Sequence, residues 1–172
     1  MQRDVMTDME VWNSFQQRKP LILLGARQTG KTWLLRAFSK KHYPKDTLFV
    51  DLHDNEPLRK AIEEGTSDAL GILELVSTAT GMKIVPGRTL LVFDEVQESP
   101  RTLSSLKYFY EKMPDLAIMA AGSLLGLALN RERRRGKAES DWTEVAPGYH
   151  SKVAGVAVKI IGMPPSTVVF MR

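Results

Sequence analysis

Residues 21–35 read LILLGARQTGKTWLL, and this stretch decides the fold. Four apolar residues precede Gly25, and a second apolar run follows Lys31 and Thr32. The pattern predicts a buried strand, a tight loop and then a helix. A lysine at the start of a helix, directly after a glycine-containing loop, is typical of a phosphate-binding site. The stretch therefore predicts a strand–loop–helix unit built around a phosphate.

The loop itself, residues 25–32 (GARQTGKT), matches the P-loop pattern G-x-x-x-x-G-K-[ST]. In such a loop the backbone N–H groups surround the phosphates, and the positive end of the helix points at them. We expect Lys31 to reach the β- and γ-phosphates and the Thr32 hydroxyl to hold Mg²⁺. An ordinary glycine-rich turn is the disfavoured alternative, because a predicted strand and helix flank the loop. The predicted nucleotide-binding residues are Gly25, Ala26, Arg27, Gln28, Thr29, Gly30, Lys31, Thr32 and Trp33.

A second strand end carries acidic residues. Residues 90–97 read LLVFDEVQ, so that four apolar residues lead directly into Asp94 and Glu95. Ligands of parallel sheets bind at the carboxyl ends of the strands. We expect Asp94 to join Thr32 in holding Mg²⁺, and Glu95 to act as the general base that polarises a water. The alternative is a solvated acidic pair at a strand end, which the P-loop upstream disfavours.

Ser123 ends another apolar run, MAAGS at residues 119–123. The sequence favours two roles of the Ser123 hydroxyl about equally. The hydroxyl can face the same crevice and orient the attacking water between Glu95 and the γ-phosphate, which would make Ser123 a third catalytic residue beside Lys31 and Glu95. It can also cap the helix predicted to follow.

Helical and strand patterns alternate along the chain, which predicts an α/β domain with a parallel sheet flanked by helices. The strand that contains LLVF is apolar on both faces, as in sheets covered on both sides. We predict an ATP-binding core over residues 1–130, a basic polar loop over residues 131–150, and a fifth strand near residues 156–161 within a divergent tail, 151–172.

Composition narrows the class of protein. The chain has 172 residues and no cysteine, and its net charge is +4. Lys/Arg and Asp/Glu balance at 16 each over residues 1–130, so the excess charge lies in the tail. No apolar run approaches the roughly 18 residues that a membrane span needs, and no signal peptide is visible. These features predict a cytoplasmic protein that does not enter a membrane. The basic run RERRR makes nucleic-acid binding a weak alternative to a solvated loop.

The motifs together resemble the prokaryotic AAA+ ATPases that carry a C-terminal domain of unknown function. The segments that match are RKPLILLGARQTGKTWLLRAF, LLVFDEVQESPRTLSSLKYFYE and IMAAGSLLGLAL, within residues 3–130. The resemblance implies a P-loop NTPase of the AAA+ type with sheet order 5-1-4-3-2. It also implies a Walker A motif at 25–32, a Walker B motif ending at Asp94 and Glu95, and a sensor-1 position at Ser123.

After residue 130 the chain departs from that family's pattern. The family continues into a further domain, whereas this sequence ends at residue 172, so it looks like a truncated or divergent member. Neither a trans-acting arginine finger nor a sensor-2 arginine can be assigned from the sequence; Arg131 and Arg133 are weak candidates for the finger. Self-association, or a partner that supplies such an arginine, is the expected interaction.

Four functions are compared. The favoured one is Mg²⁺-dependent ATP binding with hydrolysis, a hydrolase activity. A nucleotide-binding switch with little or no hydrolysis is the main alternative. A small-molecule kinase is disfavoured, because the Asp-Glu strand end is suited to activating water. A DNA-associated protein acting through the basic tail is the fourth. Guanine specificity is disfavoured because no Asn-Lys-x-Asp stretch is present.

Overall fold

The computed structural model describes residues 2–16, 18–26, 28–65, 68–123, 156–160 and 169–170. Helices and strands alternate through the described part of the chain, as predicted. The helices are α1 (Gln2–Ser14), α2 (Lys31–His42), α3 (Glu56–Glu64), α4 (Ala69–Thr80) and α5 (Pro100–Lys112), with a 3-10 helix at Val96–Glu98. The strands are β1 (Leu21–Gly25), β2 (Thr47–Asp51), β3 (Leu90–Asp94), β4 (Ala117–Ser123), β5 (Val156–Ile160) and β6 (Val169–Phe170).

The sheet has the order β2-β3-β4-β1-β5-β6. Its first four strands pair in parallel, and β4 lies between β1 and β3. The α/β class, the flanking helices and the predicted order 5-1-4-3-2 are therefore confirmed. The prediction of an all-parallel sheet is wrong at its edge. β5 runs antiparallel to β1, with Gly25 opposite Val156, and the short β6 adds a sixth strand antiparallel to β5.

The error at the edge has a physical reason. The β-branched residues of 156–160 predict a strand but carry no information on its direction. The direction of a strand depends on the path of the chain between strands, and residues 124–155, which connect β4 to β5, are numerous enough for either direction. The polar loop predicted at residues 131–150, and the short helix predicted after Ser123, lie outside the described residues.

Two apolar layers cover the sheet. On one face, the residues of β1–β4 that include Ile22 and Phe93 pack against α3, α4 and α5. On the other face, the alternate residues that include Leu23 and Val92 pack against α1 and α2. Each residue of β1, β3 and β4 is buried. The prediction that the LLVF strand is apolar on both faces is therefore confirmed, and the sheet forms the middle of three layers.

Helix α1 anchors the end of the chain that leads into β1. Trp12 is 1% exposed and its ring meets that of Phe38 in α2 edge-on, with 6.4 Å between centroids. Its indole N–H donates to the Lys19 carbonyl at 2.7 Å, which fixes the turn before β1. The helix ends at Ser14. Within the described part of the chain, no helix is long and apolar enough to cross a membrane.

Candidate functional site

The loop after β1 leaves the N-terminus of α2 open to a ligand. Gly30 has a φ of 84°, a left-handed conformation that glycine adopts without cost, and its carbonyl accepts the Leu34 N–H at 2.9 Å. No described side chain caps the helix, and its first turn has no acidic residue. Gln28 also has a positive φ, 61°. The free N–H groups and the helix dipole at this end attract an anion.

Lys31 is folded back onto this loop. Its side chain is only 6% exposed, and the ammonium donates to the carbonyls of Ala26 at 2.6 Å and Gly25 at 3.3 Å. Burial lowers the pKa of Lys31, and the negative charges of Glu95 and Asp94 oppose that change. The lysine therefore occupies the inside of the loop and lies within electrostatic reach of the acidic strand end.

Asp94 closes the opposite side of the site. It is the last residue of β3 and is 1% exposed. Burial raises the pKa of the Asp94 carboxyl; a hydrogen bond from the Thr32 side chain and one from the Glu95 N–H oppose the change. Thr32 lies in the first turn of α2 and Asp94 ends β3, so these two elements approach each other here although β4 separates β1 from β3 in the sheet. The two predicted magnesium ligands are therefore together.

These two oxygen donors can hold a magnesium ion only with further ligands. Among the described residues, no three His, Asp or Glu side chains converge to bind a metal ion. Mg²⁺ is usually bound in proteins by one or two side-chain ligands, together with phosphate oxygens and waters. Thr32 and Asp94 fit that arrangement, with the phosphates of a nucleotide completing the coordination.

Glu95 follows Asp94 in a constrained conformation. Its φ is 51°, in the left-handed region that a non-glycine residue rarely adopts, and its N–H donates to Asp94 Oδ1 at 3.1 Å. The half-buried carboxylate accepts a hydrogen bond from the Gln97 amide. Backbone conformations of this kind concentrate at functional sites. The Gln97 amide therefore restrains the Glu95 carboxylate directly after the strand end.

Ser123 is brought to the same edge of the sheet. It pairs in register with Gly25, and β4, which it ends, also pairs with β3. The side chain is 1% exposed, and its hydroxyl has no hydrogen-bond partner in the described part of the chain. A buried hydroxyl without a partner is costly unless a ligand or water completes it. The helix that it would cap lies outside the described residues, so the capping alternative stays a prediction.

The remaining predicted residues belong to the loop and to the first turn of α2. Trp33 lies in the first turn of α2 with 55% of its surface exposed, next to the loop but outside the core. Thr29 donates its hydroxyl to the Ala26 carbonyl at 2.9 Å, which tightens the loop. Arg27 lies outside the described residues.

Two residues near the site were missed by sequence reasoning. Asp51 ends β2 in register with Asp94, and its charge adds to the rise in the Asp94 pKa. The apolar run before Asp51 in TLFVD gave the same signal as LLVFD and could have found it. Gln97 is 3% exposed and bonds both Glu95 and the Ser123 backbone. Nothing in the local pattern distinguishes Gln97 from a surface glutamine.

The loop, the buried lysine and the acidic strand end of a parallel α/β sheet define the class of P-loop nucleotide-binding domains. A family model described as an AAA domain matches residues 17–147. The chain therefore belongs to the AAA domain family, whose members are ATPase-like nucleotide-binding proteins. No protein of curated function matches the chain.

Proposed function

We propose that the chain binds Mg²⁺–ATP at the carboxyl edge of β1, β3 and β4, and hydrolyses it. The observation that carries the proposal is the pair of buried charges at one edge of the sheet: Lys31 lies inside the loop, Asp94 ends β3, and the negative charge of Asp94 acts on the Lys31 ammonium. A structural turn would have no use for two buried charges of opposite sign beside an uncapped helix. A nucleotide explains all three features.

Binding replaces contacts that the loop now makes with itself. On binding, the Lys31 ammonium exchanges the carbonyls of Gly25 and Ala26 for β- and γ-phosphate oxygens. The N–H groups at the start of α2 donate to the phosphates. Thr32 and Asp94 would hold Mg²⁺, which would supply positive charge where negative charge develops on the γ-phosphate. The burial of Lys31 and Asp94 strengthens each of these interactions.

Hydrolysis uses Glu95 as the general base. Its carboxylate takes a proton from a water as the water oxygen bonds to the γ-phosphorus, and the bond from that phosphorus to the bridging oxygen of ADP breaks. The products are ADP and inorganic phosphate. The unpartnered hydroxyl of Ser123 orients the same water or a γ-phosphate oxygen. Positioning and charge stabilisation supply most of the rate in phosphoryl transfer.

The first test is binding, measured as the affinity for a fluorescent ATP analogue with Mg²⁺. We expect Lys31→Ala to weaken binding by about tenfold or more, because a charge-assisted contact to phosphate is lost. Lys40→Ala, at the exposed end of the same helix, is the matched control and should bind like the wild type. Equal affinity of the Lys31 variant and the wild type would contradict the assignment of the loop.

The second test is turnover, measured as phosphate release at saturating Mg²⁺–ATP. We expect Glu95→Gln to lower kcat by about 10²-fold or more while binding is retained, since the base is lost but its shape is kept. The control is Glu98→Gln in the same 3-10 helix, whose carboxylate lies 4.0 Å from His53 and Arg59 rather than at the loop. Wild-type binding without turnover would instead support the nucleotide-binding switch.

Interactions beyond ATP follow from the family alone. AAA proteins often assemble, and a neighbouring subunit would then supply an arginine to the γ-phosphate. Arg131 and Arg133, the weak candidates for that role, lie outside the described residues. DNA binding through the RERRR run and a cytoplasmic location also stay predictions.

A further inference from the structure

Gln97 joins the two strand ends that carry the candidate catalytic residues. It lies in the 3-10 helix that follows β3, and it is 3% exposed. Its Oε1 accepts the backbone N–H of Ser123 at 2.9 Å, at the end of β4. Its Nε2 donates to Glu95 Oε2. One buried amide therefore connects the end of β4 to the carboxylate that follows β3.

The orientation of this amide is decided by its partners. A backbone N–H can only donate, so the Gln97 atom facing Ser123 must be the carbonyl oxygen. The amide nitrogen must then face Glu95, whose ionised carboxylate can only accept. Neither contact can reverse without placing two donors or two acceptors against each other. The network thus holds Glu95 in one direction rather than in several.

The protein also leaves room for this side chain. A Cβ on Gly122 would come within 2.9 Å of Gln97 Oε1 and within 3.2 Å of Val96 Cγ1. Both distances are shorter than ordinary van der Waals contacts, so any larger residue at position 122 would displace the amide. Burying an amide is costly compared with burying an apolar side chain of the same size. A purely structural filler at this position would not need the amide.

We infer that Gln97 is a positioning residue that holds the Glu95 carboxylate toward the attacking water and ties it to the Ser123 end of β4. The inference rests on the proposed hydrolysis, in which Glu95 is the base. The left-handed backbone of Glu95 turns its side chain out of the strand, and the Gln97 amide then limits the directions it can take. Correct orientation of a catalytic group contributes to rate without contributing to the binding of substrate.

The test uses Gln97→Glu and Gln97→Met. The glutamate keeps the size of the side chain and an oxygen for the Ser123 N–H, but it cannot donate to Glu95 when ionised. The methionine keeps the size and loses both bonds. We expect each to lower kcat by about tenfold or more with the affinity for Mg²⁺–ATP changed by less than about threefold. Glu98→Gln, one residue further along, is the control.

A turnover of the Gln97→Glu variant equal to that of the wild type would overturn the inference, because that variant removes the bond to Glu95 and sets a second carboxylate against the base. A parallel loss of affinity and kcat in both variants would also overturn it, since that result indicates general damage to the site. Wild-type binding without any turnover would contradict the proposed hydrolysis instead. The interaction between Gln97 and Glu95 is then tested by measurements of stability, which do not depend on activity.

Stability is measured by urea unfolding of Glu95→Gln, Gln97→Glu and the double variant that exchanges the two side chains. In the exchanged pair, the new amide at position 95 donates to the new carboxylate at position 97, which still accepts the Ser123 N–H. We expect the double variant to lose less stability than the two single losses added together, while remaining inactive because the base is absent. Strictly additive losses would show that the two side chains do not interact, and would overturn the inference.

Discussion

Two buried charges of opposite sign define the site at the scale of single residues. Lys31 and Asp94 are both less than a tenth exposed. Burial lowers the pKa of Lys31 and raises the pKa of Asp94, and both changes favour the neutral form of the group. Neither charge serves stability well in this position, because burial removes its solvation. The residues are instead suited to a ligand that brings phosphate to the lysine and a cation to the aspartate.

The Asp94 carboxyl leads to a prediction on pH. Its pKa in the folded state lies above the ordinary value, so the ionised form destabilises the fold at every pH above the folded-state pKa. That penalty disappears as the pH falls toward the ordinary Asp value of about 3.9. We therefore expect Asp94→Asn to be more stable than the wild type at pH 7 in EDTA, with a difference that shrinks on acidification.

Urea unfolding at several pH values measures this difference. Asp115→Asn, at an exposed position, is the control and should stay within about 0.5 kcal/mol of the wild type throughout. A variant at position 94 that is less stable than the wild type at pH 7 would contradict the prediction. It would mean that the bonds from Thr32 and the Glu95 N–H, which favour the ionised form, outweigh burial.

At the scale of elements, the segment between β3 and α5 shows how local and tertiary capping combine. Ser99 is fully buried; its hydroxyl accepts the Thr102 N–H at 3.3 Å and donates to Glu63 of α3 at 2.7 Å. The same Glu63 oxygen accepts the Arg101 N–H at 2.9 Å. Pro100 begins the helix, where a proline needs no donor. Helix α3 thereby fixes the start of α5 and, with it, the end of the 3-10 helix that carries Gln97.

We expect Ser99→Ala to lower the free energy of unfolding by about 1–2 kcal/mol, since the helix loses its N-cap and Glu63 loses a buried partner. Ser104→Ala in the same helix is the control. The Ser104 hydroxyl only donates to the Pro100 carbonyl within the helix, so its loss should be nearly neutral. Chemical denaturation of both variants measures the difference. Equal stabilities would contradict a capping role for Ser99.

At the scale of the whole molecule, the site depends on the sheet being assembled. Three different strands end at Gly25, Asp94 and Ser123. Their ends lie at one edge because β4 is placed between β1 and β3 and pairs with both. Apolar layers on both faces hold the three strands in register. A ligand that contacts all three strand ends binds the folded chain and not the unfolded one, and so stabilises the whole domain.

Thermal unfolding tests this coupling. At a Mg²⁺–ATP concentration of about 100 times Kd, linkage predicts about 2.7 kcal/mol of added stability. For a chain of this size that corresponds to a rise in Tm of roughly 5–10 °C. Lys31→Ala should show little or no rise, and Lys40→Ala should show the full rise. No shift in the wild type under conditions where the fluorescent analogue binds would mean that the site forms without the rest of the fold.

The local sequence determined the strands, the helices, the phosphate loop and the acidic strand end. Residues 21–35 illustrate why. The apolar strand, the left-handed conformation of Gly30 and the helix that follows each depend on residues that are neighbours in the sequence. The resemblance to AAA+ ATPases added the order of the first five strands. Asp94, Glu95 and Ser123 could be placed at one edge because parallel strands end on the same side.

Only the tertiary structure decided the contacts between these elements. Examples are the antiparallel direction of β5, the folding of Lys31 onto its own loop and the buried hydroxyl of Ser123. The bridge made by Gln97 is another, because it joins residues 26 positions apart through a gap that Gly122 leaves open. Such contacts depend on which strands become neighbours and how closely they pack, and a local pattern of apolar and polar residues does not encode either.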